Sequence, residues 1–290
     1  MTDINPISPT TAAVFIPEVW SADILRATEA NLVFATKVKR YDSDVSKFGD
    51  IIHIPNLSNL TANNKVVGDS VTPQYPTESE KTITINLHKE ASFYIDDVAK
   101  VQSKYDLMGE YTSKAGYAIA KAIDTSVAGL YAGLTQYVGD GSTDVTDANI
   151  ITAIKYLDEA DAPESDRFFV INPAAKADLM AIDKFVLRTG PGWSTDNSPI
   201  LHGAKENGFW GDIYGVKVYV STNVVTESAS PNVVHNLLFH KEAFGLAIQL
   251  NPRTQSDYEL KYLAHLVVCD VLYGLSELRD DFAVDFRTAA

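Results

Sequence analysis

Cysteine is nearly missing: Cys269 is the only one in 290 residues, so no disulfide can form within the chain. Such usage points to a reducing compartment. Long hydrophobic runs are lacking too, and no uninterrupted apolar stretch approaches the roughly 18 residues of a membrane span. The first residues, MTDINPISPTTAAVF, carry Asp3 and neither a basic head nor an apolar core, so they do not read as a secretory signal. A soluble chain made inside the cell, with no membrane partner, is the expectation. Positive charge is scarce: 24 Lys and Arg face 38 Asp and Glu, for a formal net charge of −14. Tight nucleic-acid binding through phosphates normally needs a basic patch, and this balance argues against it. An acidic surface suits solubility, or a container that should not adhere to what it holds. Low-complexity linkers and internal repeats are absent as well.

What is present is ordinary globular material, 46% hydrophobic and 21% charged. The dominant stretch runs from Ser103 to Leu134 and reads as one long amphipathic helix. Met108, Tyr111, Ala115, Ile119, Ile123, Val127 and Leu130 recur at three- and four-residue steps. Glu110, Ser113, Lys114, Lys121 and Asp124 are assigned to the opposite, polar face. At this length the helix serves either as a core element or as a spine joining separately packed regions.

Before it, Ile51, Ile52 and Ile54 make a short strand, and Asn56 to Pro76 is polar and rich in turn residues. A long alternating strand then spans Lys81 to Ile95, with Ile83, Ile85, Leu87, Ala91, Phe93 and Ile95 on one face. A long two-stranded hairpin is marginal alone and needs a partner for its apolar face. The expectation is that Ile83, Ile85, Leu87 and Phe93 bury against another subunit. After the long helix come a loop (Tyr137 to Asp147), a helix (Asp147 to Asp161), the strand RFFVI, a helix opened by Asn172-Pro173, and a turn-dense region from Gly190 to Gly215. The strand VKVYV follows, and from Leu237 to Arg287 the tail is mostly strand. Residues 147–234 form an α+β unit.

The search for chemistry returns no active site. Asp140, Ser142, Asp144 and Asp147 suggest calcium, yet the EF-hand glycine and terminal Glu are missing, and a turn into a capped helix explains them better. Gly203 to Gly208 has P-loop spacing, but Phe209 and Trp210 stand where Lys and Ser or Thr are needed. His235 and His240 lie five apart on a strand and point to opposite faces; His265 and Cys269 share a face about 13 Å apart. Neither pair makes a metal site. No G-x-S-x-G, H-E-x-x-H or G-x-G-x-x-G pattern occurs in the required context. No catalytic residue, cofactor or metal is assigned.

The order of elements then carries a resemblance. FIPEVWSADILRA (Phe15 to Ala27), GDIIHIP (Gly49 to Pro55), YIDDVAKVQSKYDLM (Tyr94 to Met108), RFFVINPAAKADLM (Arg167 to Met180), GDIYGVKVYVSTNV (Gly211 to Val224), FHKEAFGLAIQ (Phe239 to Gln249) and LYGLSELRDDFAV (Leu272 to Val284) follow one another nearly end to end. In that order and spacing they resemble the tailed-phage major capsid proteins of the Hong Kong 97 type. The resemblance implies an α+β fold with an N-terminal arm bearing a short helix (1–48), an extended two-stranded loop (49–95), a peripheral domain holding the spine helix (96–146 and 235–290) and an axial domain (147–234). It implies a self-assembling, non-enzymatic protein that forms hexamers and pentamers of an icosahedral head. That head would enclose double-stranded DNA without sequence-specific binding, with a portal at one vertex and room for a decoration protein. Assembly would take place in the host cytoplasm, and the product is the virion.

Two features depart from the family pattern. The N-terminus leads straight into the arm, so a separate scaffolding protein is expected. Lys65 lies in the loop, but no pattern identifies a partner for an isopeptide crosslink. An encapsulin-type cellular compartment shares the implied fold and is the alternative. A soluble hydrolase or metal-binding enzyme is the distant one.

Overall fold

The computed structural model describes residues 32–43, 45, 49–58, 60–68, 70–71, 73–76, 78–98, 107–182, 209–228 and 232–289. The expected N-terminal short helix, the expected start of the long helix at Ser103 and most of the turn-dense 190–215 region lie outside the described residues. A one-turn helix α1 (Phe34–Lys37) leads into β1 (Lys39–Arg40). The hairpin strands β2 (Ile51–Asn56) and β3 (Ser79–Thr84) come next, followed by β4 (Leu87–Asp96). The long helix α2 (Leu107–Ala128) ends in a 3-10 turn, Gly129–Gly133. Beyond it the order is β5 (Tyr137–Val138), α3 (Asp147–Glu159), β6 (Arg167–Ile171) and α4 (Pro173–Ala181). Strands β7 (Phe209–Ile213), β8 (Val216–Val220), β9 (Val225–Glu227), β10 (Val233–His240), β11 (Phe244–Glu259), β12 (Ala264–Glu277) and β13 (Ala283–Ala289) complete the chain.

Local chemistry sets several boundaries. Thr146 caps α3, which starts at Asp147: its hydroxyl accepts from the Asn149 amide at 3.3 Å. Asn172 caps α4 through Oδ1, which accepts from Ala175 N at 2.7 Å, with Pro173 in the first turn where its missing N–H costs nothing. The Asp140 carboxylate accepts from Ser142 N and Thr143 Oγ1, an Asx turn, as the turn reading of that acidic loop expects.

Among the described residues the strands form three sheets. One has the order β1-β11-β12-β4; another runs β5-β13-β10-β6-β8-β7, with β9 also on β10; the third is the β2-β3 ribbon alone. The expected domain division at 234/235 falls inside β10. Strands β10 and β13 are built into the larger sheet beside β6 and β8. The expected single strand from Lys81 to Ile95 is likewise corrected. It breaks at Ile85-Asn86, so β3 pairs with β2 while β4 pairs with β12.

Helix α2 packs across β4, β11 and β12 and against α1. Ala115, Ile119, Ile123 and Val127 are buried, as the periodicity predicts, and Ser126 Oγ meets the Tyr273 hydroxyl at 2.8 Å. Two assignments need correction. Tyr111 is exposed at the ring edge of Phe93, and Asp124, placed on the polar face by pattern, is fully buried. The opposite face of the same sheet presents Gly245, Ala247 and Gly274, and across it the hairpin base packs in a small second core of Val45, Ile52, Ile83, Ile85 and Ala247.

The four-stranded sheet is pinned near a register shift in β11 by a cross-strand triad. Arg253 donates from Nε and Nη2 to the two Asp270 oxygens at 2.8 and 3.0 Å, and His88 Nε2 stands 3.2 Å away. The Arg253 bonds, reinforced by His88, hold the Asp270 carboxyl down at about 2, below its usual 3.8. A depressed folded-state value means that this stability is complete above pH 3.8 and is lost as pH falls toward 2. Asp270→Asn is therefore expected to lower stability at pH 5 and to flatten its loss between pH 4 and 2. Urea titrations of both chains across that range measure it; parallel curves would refute it.

Candidate functional site

Among the described residues the hairpin is the element that leaves the body, and its base and tip are built differently. Strands β2 and β3 pair from Ile51–Thr84 to Asn56–Ser79. Alternation along β2 puts Ile52 inward, while His53 reaches across to Glu80 at 3.0 Å in solvent. Pro55 lies on a strand that has one neighbour among the described residues, and proline there blunts unwanted edge pairing. Farther out, Gln74 grips the backbone of Thr61: its Oε1 accepts from Thr61 N at 3.0 Å and its Nε2 donates to Thr61 O. One amide side chain thereby imitates a strand rung and keeps the two limbs of the tip together.

Beyond the paired strands the tip turns apolar side chains to solvent. Leu57 is 70% exposed and Tyr75 88%, and Leu60, Val66, Val67 and Val71 are exposed to a comparable degree. Six large apolar groups on one projecting segment of a chain are unusual for a surface that stays wet. A second exposed group closes the far end of the four-stranded sheet, where Tyr94, Leu260, Tyr262 and Leu263 gather and the rings of Tyr94 and Tyr262 lie 5.6 Å apart.

Between hairpin and body opens a cleft of about 680 Å³. Its walls are charged and largely self-neutralised: Lys39 pairs with Glu242 at 2.8 Å and Arg279 with Asp281 at 3.0 Å. The bond to Lys39 lowers the Glu242 carboxyl and raises the Lys39 ammonium. Glu277, at the end of β12, shifts the other way. Burial first, then the neighbouring Asp280, raise it, with Lys81 4.0 Å off as its only nearby cation among the described residues.

The residues expected at a subunit interface are placed elsewhere. Ile83 is 0% exposed and Ile85 7%, both inside the small core of their own chain, so neither has surface left for a neighbour. Leu87 and Phe93 are half-buried against the main core, Phe93 with its ring 5.7 Å from Tyr111. The physical reason is the break at Ile85-Asn86, which lets the alternating face fold back onto β11 and β12. The apolar tip residues were missed because they follow neither helix nor strand period. Their signal was that very lack: large apolar residues among Asn, Thr and Pro, without a period that could bury them locally.

Packing and hydrogen bonds within the fold account for His235 and His240. His235 is buried with Nδ1 3.0 Å from Asp285 and its ring stacked on Tyr131, while His240 accepts from Glu242 N and meets the edge of Phe282. Burial lowers the His240 imidazole below its ordinary value. Cys269 is buried, with Sγ 3.2 Å from Thr254 Oγ1, and among the described residues no group of His, Cys, Asp and Glu is placed to hold a metal.

Known proteins bear on this arrangement. The sequence model of the family described as phage capsid protein matches residues 80–262, well over half the chain. No curated protein sequence matches. Among solved structures, one from Mycobacterium phage Che8 is 25% identical, covering 94% of this chain and 97% of its own with a TM-score of 0.78. The capsid of Cyanophage P-SCSP1u is 18% identical over 96% and 94%, at 0.74. The mature capsid of bacteriophage PhiM1 is 15% identical over 94% and 92%, at 0.68.

Proposed function

The chain belongs to the phage capsid protein family, and from that premise we propose that its hairpin tip is the main clasp between neighbouring copies in the shell. The chain has the Hong Kong 97-like fold and is a major capsid protein, self-assembling into the head shell of the virion. The observation that carries the proposal is the contrast along the hairpin. Its base is buried in its own chain, and its tip holds six exposed apolar residues. Fully burying one such side chain is worth about 1.5–3 kcal/mol, so the tip gains most when it lies on another subunit. Leu87 and Phe93, half-buried in the free chain, add at most a margin to that contact.

In this reading the four-stranded sheet with α2 is the peripheral part. The larger sheet, including β10 and β13, is the axial part around which hexamers and pentamers form. The exposed cluster of Tyr94, Leu260, Tyr262 and Leu263 is a second contact between copies. The net charge of −14 suits a shell that encloses DNA without gripping it. A separate scaffolding protein, a portal at one vertex and an optional decoration protein complete the partners, with assembly in the host cytoplasm. The family match favours a virion over a cellular compartment.

The test is the triple variant Leu57→Ser, Val67→Ser, Tyr75→Ser. The free subunit is expected to keep its Tm, because these side chains touch little of their own chain, while shells fail to form. Three lost anchors remove on the order of 5 kcal/mol from every tip contact. Calorimetry of the subunit and negative-stain microscopy of the assembly reaction read the two halves. Wild-type shells from the triple variant would sink the clasp.

A further inference from the structure

Two glycines beneath the hairpin have no conformational reason to be glycine. Gly245 on β11 and Gly274 on β12 lie in regular strands, and neither has a positive φ. What they share is a lack of room above them. A Cβ on Gly274 would press into the Thr84 carbonyl oxygen and lie 2.8 Å from its carbon and 2.9 Å from the Ile85 Cα. A Cβ on Gly245 would meet Ile83 Cδ1 at 2.8 Å and Leu278 Cδ1 at 3.0 Å. The pairings Gly245–Ser276 and Ala247–Gly274 put Gly245, Ala247 and Gly274 on one face of the ladder. The chain crosses that face at Ile85-Asn86, the two residues that belong neither to β3 nor to β4. There the Ile85 amide donates to Asp50 O at 2.7 Å and closes the hairpin base.

We propose that Gly274 is the fulcrum of the hairpin, and that the height of this crossing sets the angle at which the tip meets the next subunit. The proposal deepens the shell reading and rests on it for its consequence, but not for its geometry. An added methyl must lift the Thr84-Ile85 peptide by about 1 Å to restore ordinary contact. The next fixed point is the start of β4, two residues and about 7 Å away, so the lift tilts the hairpin by about 8°. Along the roughly 17–20 Å of paired strand this becomes about 2–3 Å at the far end. A closed shell repeats that error at every copy, which changes curvature. The two glycines differ in kind. The obstacle above Gly274 is backbone and cannot turn aside, whereas those above Gly245 are the ends of two side chains, Ile83 nearest.

The experiment uses the full chain as wild type, Gly274→Ala, Gly245→Ala, Ile83→Val and the Gly245→Ala/Ile83→Val pair. Each is studied as free subunit by hydrogen exchange and, with the assembly proteins encoded beside it, as particles by electron microscopy. Gly274→Ala is expected to raise exchange at the Ile85 amide at least tenfold and to give particles of altered diameter or unclosed sheets. Gly245→Ala should show a smaller change of the same sense, and Ile83→Val, which removes the obstructing Cδ1, should return it to the value of Ile83→Val alone. If Gly274→Ala does not fold, the Gly245 pair decides. Wild-type exchange and diameter for Gly274→Ala, or a Gly245→Ala defect that Ile83→Val leaves unchanged, overturns the fulcrum. Wild-type subunits that never form particles would overturn the shell reading instead, since the exchange measurement reads the crossing without assembly.

Discussion

Replacing Ile83 with Ser is expected to detach the hairpin from its own subunit before any neighbour is involved. Ile83 is fully buried among Val45, Ile52, Ile85 and Ala247, with Leu272 and Leu278 at the margin. Removing a buried Ile side chain costs roughly 2–5 kcal/mol through lost transfer energy and the cavity left behind. A hydroxyl left in that cavity adds to the cost unless it finds a partner. This small core is distinct from the main one, so the loss falls on docking of the hairpin and not on the whole fold. A shift of 2–5 kcal/mol changes the docking equilibrium by about 30-fold to several thousand-fold.

Hydrogen exchange of the free subunit distinguishes this from an inter-subunit role. Amides of Ile51–Asn56 and Ser79–Thr84 should exchange at least thirtyfold faster in Ile83→Ser, while those of β6 and β10 in the main sheet stay near wild type. Shells should also fail, because a lever without a seat cannot present its tip at one angle. Were Ile83 waiting for a neighbour, the free variant would exchange as wild type and only assembly would suffer. The tip variants make the opposite pattern: an intact hairpin base and no shells. Between them the two experiments map which apolar groups serve the subunit and which serve the shell.

The same distinction marks what could be read from sequence. Period found the elements: the alternating run around Ile83 and Phe93 is strand, RFFVI is a strand buried throughout, and Ala115 to Val127 faces the core. Asn172-Pro173 announced its helix because cap chemistry is local. Period could not say that the long strand changes partners at Ile85-Asn86, because both halves keep the same alternation across the break. The seat that forces the change, Gly245 and Gly274, lies about 160–190 residues later in the chain. Only the fold brings it under Thr84. For the same reason the clasp was assigned to regular apolar positions when the exposed apolar groups lie in the irregular tip. Regular positions are those a chain can bury by itself.

Pattern fails at Asp124 too, and its substitution is expected to loosen three parts of the subunit together. It follows Ile123 on α2 and precedes Ala128 by one turn, which places it on the shoulder of the buried face and not opposite to it. Oδ1 accepts from Ala35 N at 3.0 Å, at the entry to α1, and Oδ2 accepts from Asn223 Nδ2 at 2.9 Å in the loop after β8. Asn223 is fixed in turn, its Oδ1 accepting from Thr125 Oγ1 at 2.8 Å and its amide donating to Ser221 Oγ. One buried carboxylate therefore ties α1, α2 and the loop after β8 together. Burial raises its pKa, and the hydrogen bonds from Ala35 and Asn223 pull it back. Asp124→Ala leaves the Ala35 amide and the Asn223 side chain without their acceptor, at about 1–3 kcal/mol each, less what is regained by no longer burying the carboxylate. A net loss of about 2–4 kcal/mol is expected, with Asp124→Asn also impaired because its amide must face one of two donors. A double-mutant cycle with Asn223→Ala should return a coupling above about 0.5 kcal/mol. Exchange at Ala35 and across 221–224 should rise together, although Val33 and Phe34 remain packed in the main core. Independent, additive effects of the two substitutions would show that α1 and the loop after β8 are held separately, and that α2 is a support without a joint.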